Sequence, residues 1–135
     1  MGRKQARDRS FKLIFEYIFT KEIDDELMEE YISESDVSGE EQYIRDVYFG
    51  VANKFEYLSE KIEKLAIGFS FHRIFKVDLA ILLLASYEIE FMPKIPFKVS
   101  VNEACELAKL YSTEKSVGFI NGILAKMKEG NDAGH

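Results

Sequence analysis

Apolar residues recur along this chain at helical spacing almost throughout. Phe11, Ile14, Phe15 and Ile18 follow the i, i+3, i+4, i+7 rule, which predicts a first helix over about residues 5–19. Leu27, Met28, Tyr31 and Ile32 predict a short second helix after Asp24. Ser38 with Glu41 has the form of a capping box. It opens a long helical stretch through Ile44, Val47, Tyr48, Val51, Phe55, Leu58, Ile62 and Leu65, with a break expected near residues 53–56. Residues 68–73 read as a loop. Residues 77–91 are apolar around almost the whole circumference, and their length and lack of β-branched clustering favour a central buried helix over a strand. Pro93 and Pro96 then punctuate the chain. Ser100 with Glu103 forms a second capping pattern, ahead of a face made by Val101, Ala104, Cys105, Ala108 and Tyr111. After a break at Ser112 and Thr113, Phe119, Ile120, Ile123, Leu124 and Met127 mark a last helix, with Gly130 and Asn131 as its stop. No segment alternates with period two. The expected fold is all-α: a compact single-domain bundle of about six or seven helices over residues 1–130, followed by a frayed tail at 131–135.

Composition agrees with this picture. The 135 residues suffice for one core, and 47% hydrophobic with 31% charged residues is an ordinary globular balance. A single cysteine, Cys105, excludes an intramolecular disulfide and fits a reducing cytoplasm. No signal peptide is visible at the start, and the apolar run at 79–85 is too short to span a bilayer.

Charge adds a sharper feature. The chain carries a formal charge of -6, yet it begins with Arg3, Lys4, Arg7, Arg9 and Lys12, opposed in sequence only by Asp8. Cations in the first turns of a helix oppose its dipole, by about 0.3–1 kcal/mol each when exposed. At 100° per residue Arg3, Lys4 and Arg7 share the azimuth of the Phe11–Ile18 stripe, whereas Arg9 and Lys12 point elsewhere. Two accounts fit the cluster: a solvated helix start, or a site for a polyanion. From Glu16 to Glu41 acidic residues far outnumber the single Lys21, which reads as a solvated face or as charge steering nucleic acid toward the basic end.

Catalytic chemistry is not expected. His72 and His135 are the only histidines, and His72 falls in the expected loop. Cys105 lies on an apolar helix face, as a core residue would. Metal-ligand spacing and a phosphate-binding glycine loop are absent, and Glu88 and Glu90 fall on opposite helix faces. No cofactor is implied.

The C-terminal third carries a longer motif. Pro96 to Lys109 reads PFKVSVNEACELAK, and Phe119 to Leu124 reads FINGIL. These runs closely resemble the NusB family of transcription antitermination factors. Ala6-Arg7 before the apolar stripe, Tyr43 to Asp46 with Gly50-Val51, and Arg73 through Val77–Leu82 to Tyr87-Glu88 match in order. From the residues alone, Asn121 and Gly122 read mainly as packing positions within the last helix. The resemblance implies a helical domain that binds boxA RNA of nascent ribosomal RNA leaders as a heterodimer with NusE, a small-subunit ribosomal protein, within an RNA polymerase antitermination complex. It implies RNA contact at Arg3, Lys4 and Arg7, with Phe119 on the same surface, and a NusE-facing surface including Phe15 and Asp78. Leu83, Gly118, Ala125 and Phe15 depart from residues common in the family. Two alternatives stay open: an RNA-binding module of an rRNA methyltransferase, although no methyl-donor-binding unit follows in this sequence, and a helical interaction protein without RNA binding.

Overall fold

A computed structural model describes residues 2–66 and 74–133. Seven α-helices run in the order α1 (Gly2–Thr20), α2 (Asp25–Ile32), α3 (Glu41–Asn53), α4 (Phe55–Leu65), α5 (Lys76–Phe91), α6 (Phe97–Tyr111) and α7 (Glu114–Ala133). One 3-10 turn at Ser35–Val37 joins α2 to α3. There is no strand among the described residues. The expected loop at 68–73, with His72, lies outside them, as does His135.

Helix α5 is the axle. Leu79 through Ser86 are buried without a gap, and α1, α3, α4, α6 and α7 all pack on it. A helix apolar on every side is stable only inside such a sheath, where each buried Leu or Ile contributes roughly 1.5–3 kcal/mol. Leu83 is fully buried in this packing. Helix α1 lays Ala6, Phe11, Leu13, Ile14 and Ile18 against α5 and α3. Where α3 meets α5, Gly50 faces the ring of Tyr87 so closely that a Cβ would stand 2.2 Å from Cζ. The glycine is there because the ring occupies the place of a side chain.

Helix boundaries follow local chemistry, with corrections to the sequence expectations. Helix α2 starts directly after Asp24 as expected, and Asp24 caps it, its Oδ1 accepting from the Leu27 amide at 3.0 Å. The break after Asn53 is also where the pattern put it. Neither capping box forms. Ser38 makes no cap to α3, because Gly39 turns the chain with φ 89° and Glu41 instead accepts from the Gly39 amide at 3.2 Å. Helix α6 starts at Phe97, directly after Pro96, so Ser100 lies one turn inside it and is buried. Helix α1 begins at Gly2 rather than near Gln5, and α7 continues through Gly130 and Asn131 to Ala133.

Candidate nucleic-acid interface

The first turn of α1 projects Arg3 and Lys4, with Arg7 one turn below. Arg3 is held on two sides. Its Nε donates to Glu40 Oε1 at 2.6 Å, and its guanidinium carbon stands 4.4 Å over the centre of the Tyr43 ring. Lys4 Nζ reaches Glu103 Oε1 of α6 at 3.5 Å. Both cations keep much of their side chains in solvent, 40% and 58%.

Arg7 behaves differently, and its expected place on the exposed surface is corrected. Its side chain is 5% exposed. Nε donates to Glu88 Oε2 at 2.8 Å and Nη2 to Oε1 at 3.3 Å. Glu88 is the hub: it also accepts from Ser100 Oγ at 2.7 Å and, in a short bond, from the Tyr43 hydroxyl. Burial opposes the Arg7 charge, but the bond and charge of Glu88 outweigh it and raise the pKa further. Burial and the Glu88 charge push the Tyr43 phenol well above its ordinary value, so it remains a donor at neutral pH. With its guanidinium committed to Glu88, Arg7 is an anchor beneath the tip. Four helices meet in this network, since Arg7, Tyr43, Glu88 and Ser100 come from α1, α3, α5 and α6.

The basic island is also not the bare positive patch that the sequence suggested. Arg9 pairs with Glu34 and Asp36 at 2.6 and 2.8 Å, and Asp8 takes Arg9 at 2.9 Å and Lys12 at 3.2 Å. Counting Glu40, Glu88 and Glu103, five cations face six carboxylates, five of which arrive from other parts of the chain. Between α1 and α6 a groove of about 190 Å³ opens beside Lys4, Gln5, Glu103, Glu106 and the exposed Leu110. Gln5 Oε1 is shielded from solvent there and accepts no hydrogen bond from the described residues.

Phe119 lies on α7, half-buried against the core, so it has a packing role there. Helix α6 connects it to the tip, because α6 supplies Glu103 to Lys4 and packs along α7. Next to Phe119, part of the α7 surface faces solvent. Gly118, Asn121 and Gly122 are exposed, and a Cβ at either glycine would meet nothing within 4 Å. This corrects the expectation that Gly122 permits close packing and that Asn121 ties a neighbouring helix. Gly122→Ala is therefore expected to stabilise the fold by about 0.5–1 kcal/mol, because glycine alone weakens a helix there. Thermal melting should rise by about 3 °C, and an unchanged or lower melting point would show a constraint on Gly122 beyond helix propensity.

Phe15 and Asp78 fall in one neighbourhood, joined through Phe11, Tyr111 and Ser112 and about three turns along α1 from Arg3. Phe15 belongs to a row of rings: Tyr111 stacks on Phe11 at 5.0 Å, Phe11 lies 6.4 Å from Phe15, and Phe19 meets Phe15 edge-on at 5.2 Å. Phe19 is 61% exposed. Phe75, which sequence reasoning passed over, is exposed three residues before Asp78. The signal for both was available, since each is a large ring at a helix end, Phe19 one residue before the end of α1 and Phe75 directly before α5. Asp78 itself is buried, which corrects its expected surface position. Its two oxygens accept from Ser112 Oγ at 2.6 Å and Ser116 Oγ at 2.7 Å, fixing the α6–α7 turn that follows Tyr111.

Other chemistry is sparse. Cys105 is half-buried on α6, and burial pushes its thiol up, away from the reactive thiolate. Among the described residues no group of His, Cys, Asp and Glu could hold a metal ion, and no helix is long and apolar enough to cross a membrane.

Known proteins resemble this chain in sequence and fold. The chain is 40% identical over 132 residues to the transcription antitermination protein NusB of Ruminiclostridium cellulolyticum, covering 97% of this chain and 91% of the relative. It is 44% identical over 128 residues to the protein of the same name from Acetivibrio thermocellus, covering 94% and 88%. Among solved structures, T. maritima NusB superposes with a TM-score of 0.84 at 31% identity, covering 94% of this chain and 90% of that one. A chain from a structure of antitermination factors NusB and NusE in complex with dsRNA superposes with a TM-score of 0.81 at 24% identity, covering 96% and 97%, a likeness of fold. With residues 4–129 matching the NusB family, and with these relatives alike in sequence and fold, the chain belongs to the NusB family.

Proposed function

We propose that this protein is a transcription antitermination factor that binds boxA RNA of nascent ribosomal RNA leader transcripts together with NusE, and so promotes processive transcription by RNA polymerase in the cytoplasm. Membership of the family supports the antitermination role. The fold it shares with a NusB chain crystallised with NusE and RNA supports the two kinds of partner. The observation that carries the site is the solvent-facing pair Arg3 and Lys4, raised above the anchored Arg7 and next to an open groove. Arg3 and Lys4 contact phosphate, while Arg7 acts from below by fixing the start of α1. The half-buried ring of Phe119 supplies a stacking partner for an unpaired base. NusE docks on the ring row containing Phe15 and Phe19, beside the turn that Asp78 holds. The protein acts by positioning RNA and partner, with no catalytic step.

The test is filter binding of a boxA RNA and a scrambled RNA, with and without NusE, across salt concentrations. Wild-type protein with NusE should prefer boxA. Arg3→Ala combined with Lys4→Ala should weaken boxA binding by roughly tenfold, the loss of one or two charge-assisted phosphate contacts. Unchanged boxA affinity in that variant would refute the assignment of the tip.

A further inference from the structure

We propose that Glu40 and Glu103 are internal competitors for RNA phosphate: they occupy Arg3 and Lys4 in the free protein, must be displaced when RNA binds, and thereby set its affinity and salt dependence. The inference rests on the RNA-binding role proposed for the tip and adds residues that such a role does not by itself require.

Exposure separates the pairs that can exchange from those that cannot. Arg7 and Glu88 are 5% and 0% exposed, and parting them would strand two charges in the interior. Arg3 and Glu40 are 40% and 23% exposed, and Lys4 and Glu103 are 58% and 25% exposed. Pairs of that kind are weak enough for a phosphate to compete with. The geometry leaves Arg3 pre-aimed: when Glu40 departs, the Tyr43 ring 4.4 Å below still supports the guanidinium. Glu40 itself has a fixed origin. It follows Gly39, whose φ of 89° is closed to most side chains, and its amide bonds to the Val37 carbonyl at 2.9 Å. Gly2 packs against the same turn, since a Cβ there would approach Glu40 Cγ to 3.2 Å. The carboxylate is thus delivered to Arg3 by tertiary structure.

Displacement changes the ion balance. A phosphate that captures a free cation releases condensed counterions and steepens the salt dependence by about 0.7 per contact on a single strand. A phosphate that captures Arg3 from Glu40 also liberates a carboxylate, which gathers a cation of its own. The net release falls toward zero. Each guarded contact should therefore add little to the slope.

The experiment uses the full chain with NusE and a short single-stranded boxA RNA. Glu40→Gln should tighten binding about two- to fivefold at low salt and steepen the slope of log K against log salt by about 0.7. Glu103→Gln should act in the same direction through Lys4. Glu41→Gln, which removes a carboxylate that bonds to the Gly39 amide rather than to a cation, should leave the slope alone. The gain from Glu40→Gln should vanish when Arg3 is already alanine. If Glu40→Gln and Glu103→Gln leave affinity and slope unchanged while Arg3→Ala weakens binding, the competition is refuted and the RNA site stands. A gain that persists in the Arg3→Ala background also refutes it, because net charge alone would then explain the effect. If Arg3→Ala has no effect either, the RNA site itself is misplaced.

Discussion

Glu88→Ala is expected to destabilise the protein by about 3–5 kcal/mol, because it leaves the Arg7 charge buried without a counter-ion. The same change orphans the Tyr43 hydroxyl and Ser100 Oγ, which both donate to Glu88. Domains of this size commonly have only about 5–15 kcal/mol in total, so a large unfolded population should follow. Glu88→Gln keeps an acceptor but removes the charge, and should fall between the variant and wild type. Replacing Arg7 and Glu88 together by methionine should recover most of the loss, since the penalty belongs to the unpaired charge. Urea denaturation of the single and double variants measures this cycle. A loss below about 1 kcal/mol for Glu88→Ala would mean that water reaches the hub and that Arg7 is not an anchor.

Asp78→Ala should cost about 3 kcal/mol, the low end expected for losing two hydrogen bonds to a charged acceptor. The low end applies because Ser112 and Ser116 remain bonded to each other at 2.8 Å, and Thr113 stands 3.0 Å from Ser116. The consequence for the partner separates two roles. Acting through the turn, Asp78 positions Tyr111 and the ring row, so Ser112→Ala with Ser116→Ala should weaken NusE binding as Asp78→Ala does. If the serine pair leaves NusE binding intact while Asp78→Ala abolishes it, the carboxylate itself meets the partner. Calorimetric titration with NusE alongside thermal melting gives both quantities.

Much of the fold was legible because helical spacing survives in the stripes of α1, α3, α4 and α7, and because the unbroken apolar run of α5 has few other places to go. What stayed hidden was tertiary. Nothing near Ser100 in the sequence indicates that its hydroxyl answers to Glu88 in the preceding helix, so its spacing to Glu103 imitated a cap. The azimuth of Arg3, Lys4 and Arg7 was correct, but azimuth does not specify depth: one turn separates the solvated Arg3 from the buried Arg7. The island looked uncompensated because its carboxylates come from positions 34, 36, 40, 88 and 103, and only the fold brings them together. Asp78 similarly reads as an exposed acid in a first helical turn until the serines of the α6–α7 turn close over it.

The internal pairing of Arg9 and Lys12 also bears on selectivity among RNAs. An unguarded cluster of five cations would bind any RNA strand, and abundant non-cognate transcripts would occupy it in proportion to their concentration. Arg9 lies among three carboxylates and Lys12 against Asp8, so neither contributes much attraction at long range. If the tip binds RNA as proposed, the body of charge -6 behind it lets the tip discriminate against weak encounters before any base is read. A small positive surface that is mostly spoken for can thus favour a rare cognate strand over a crowd of others.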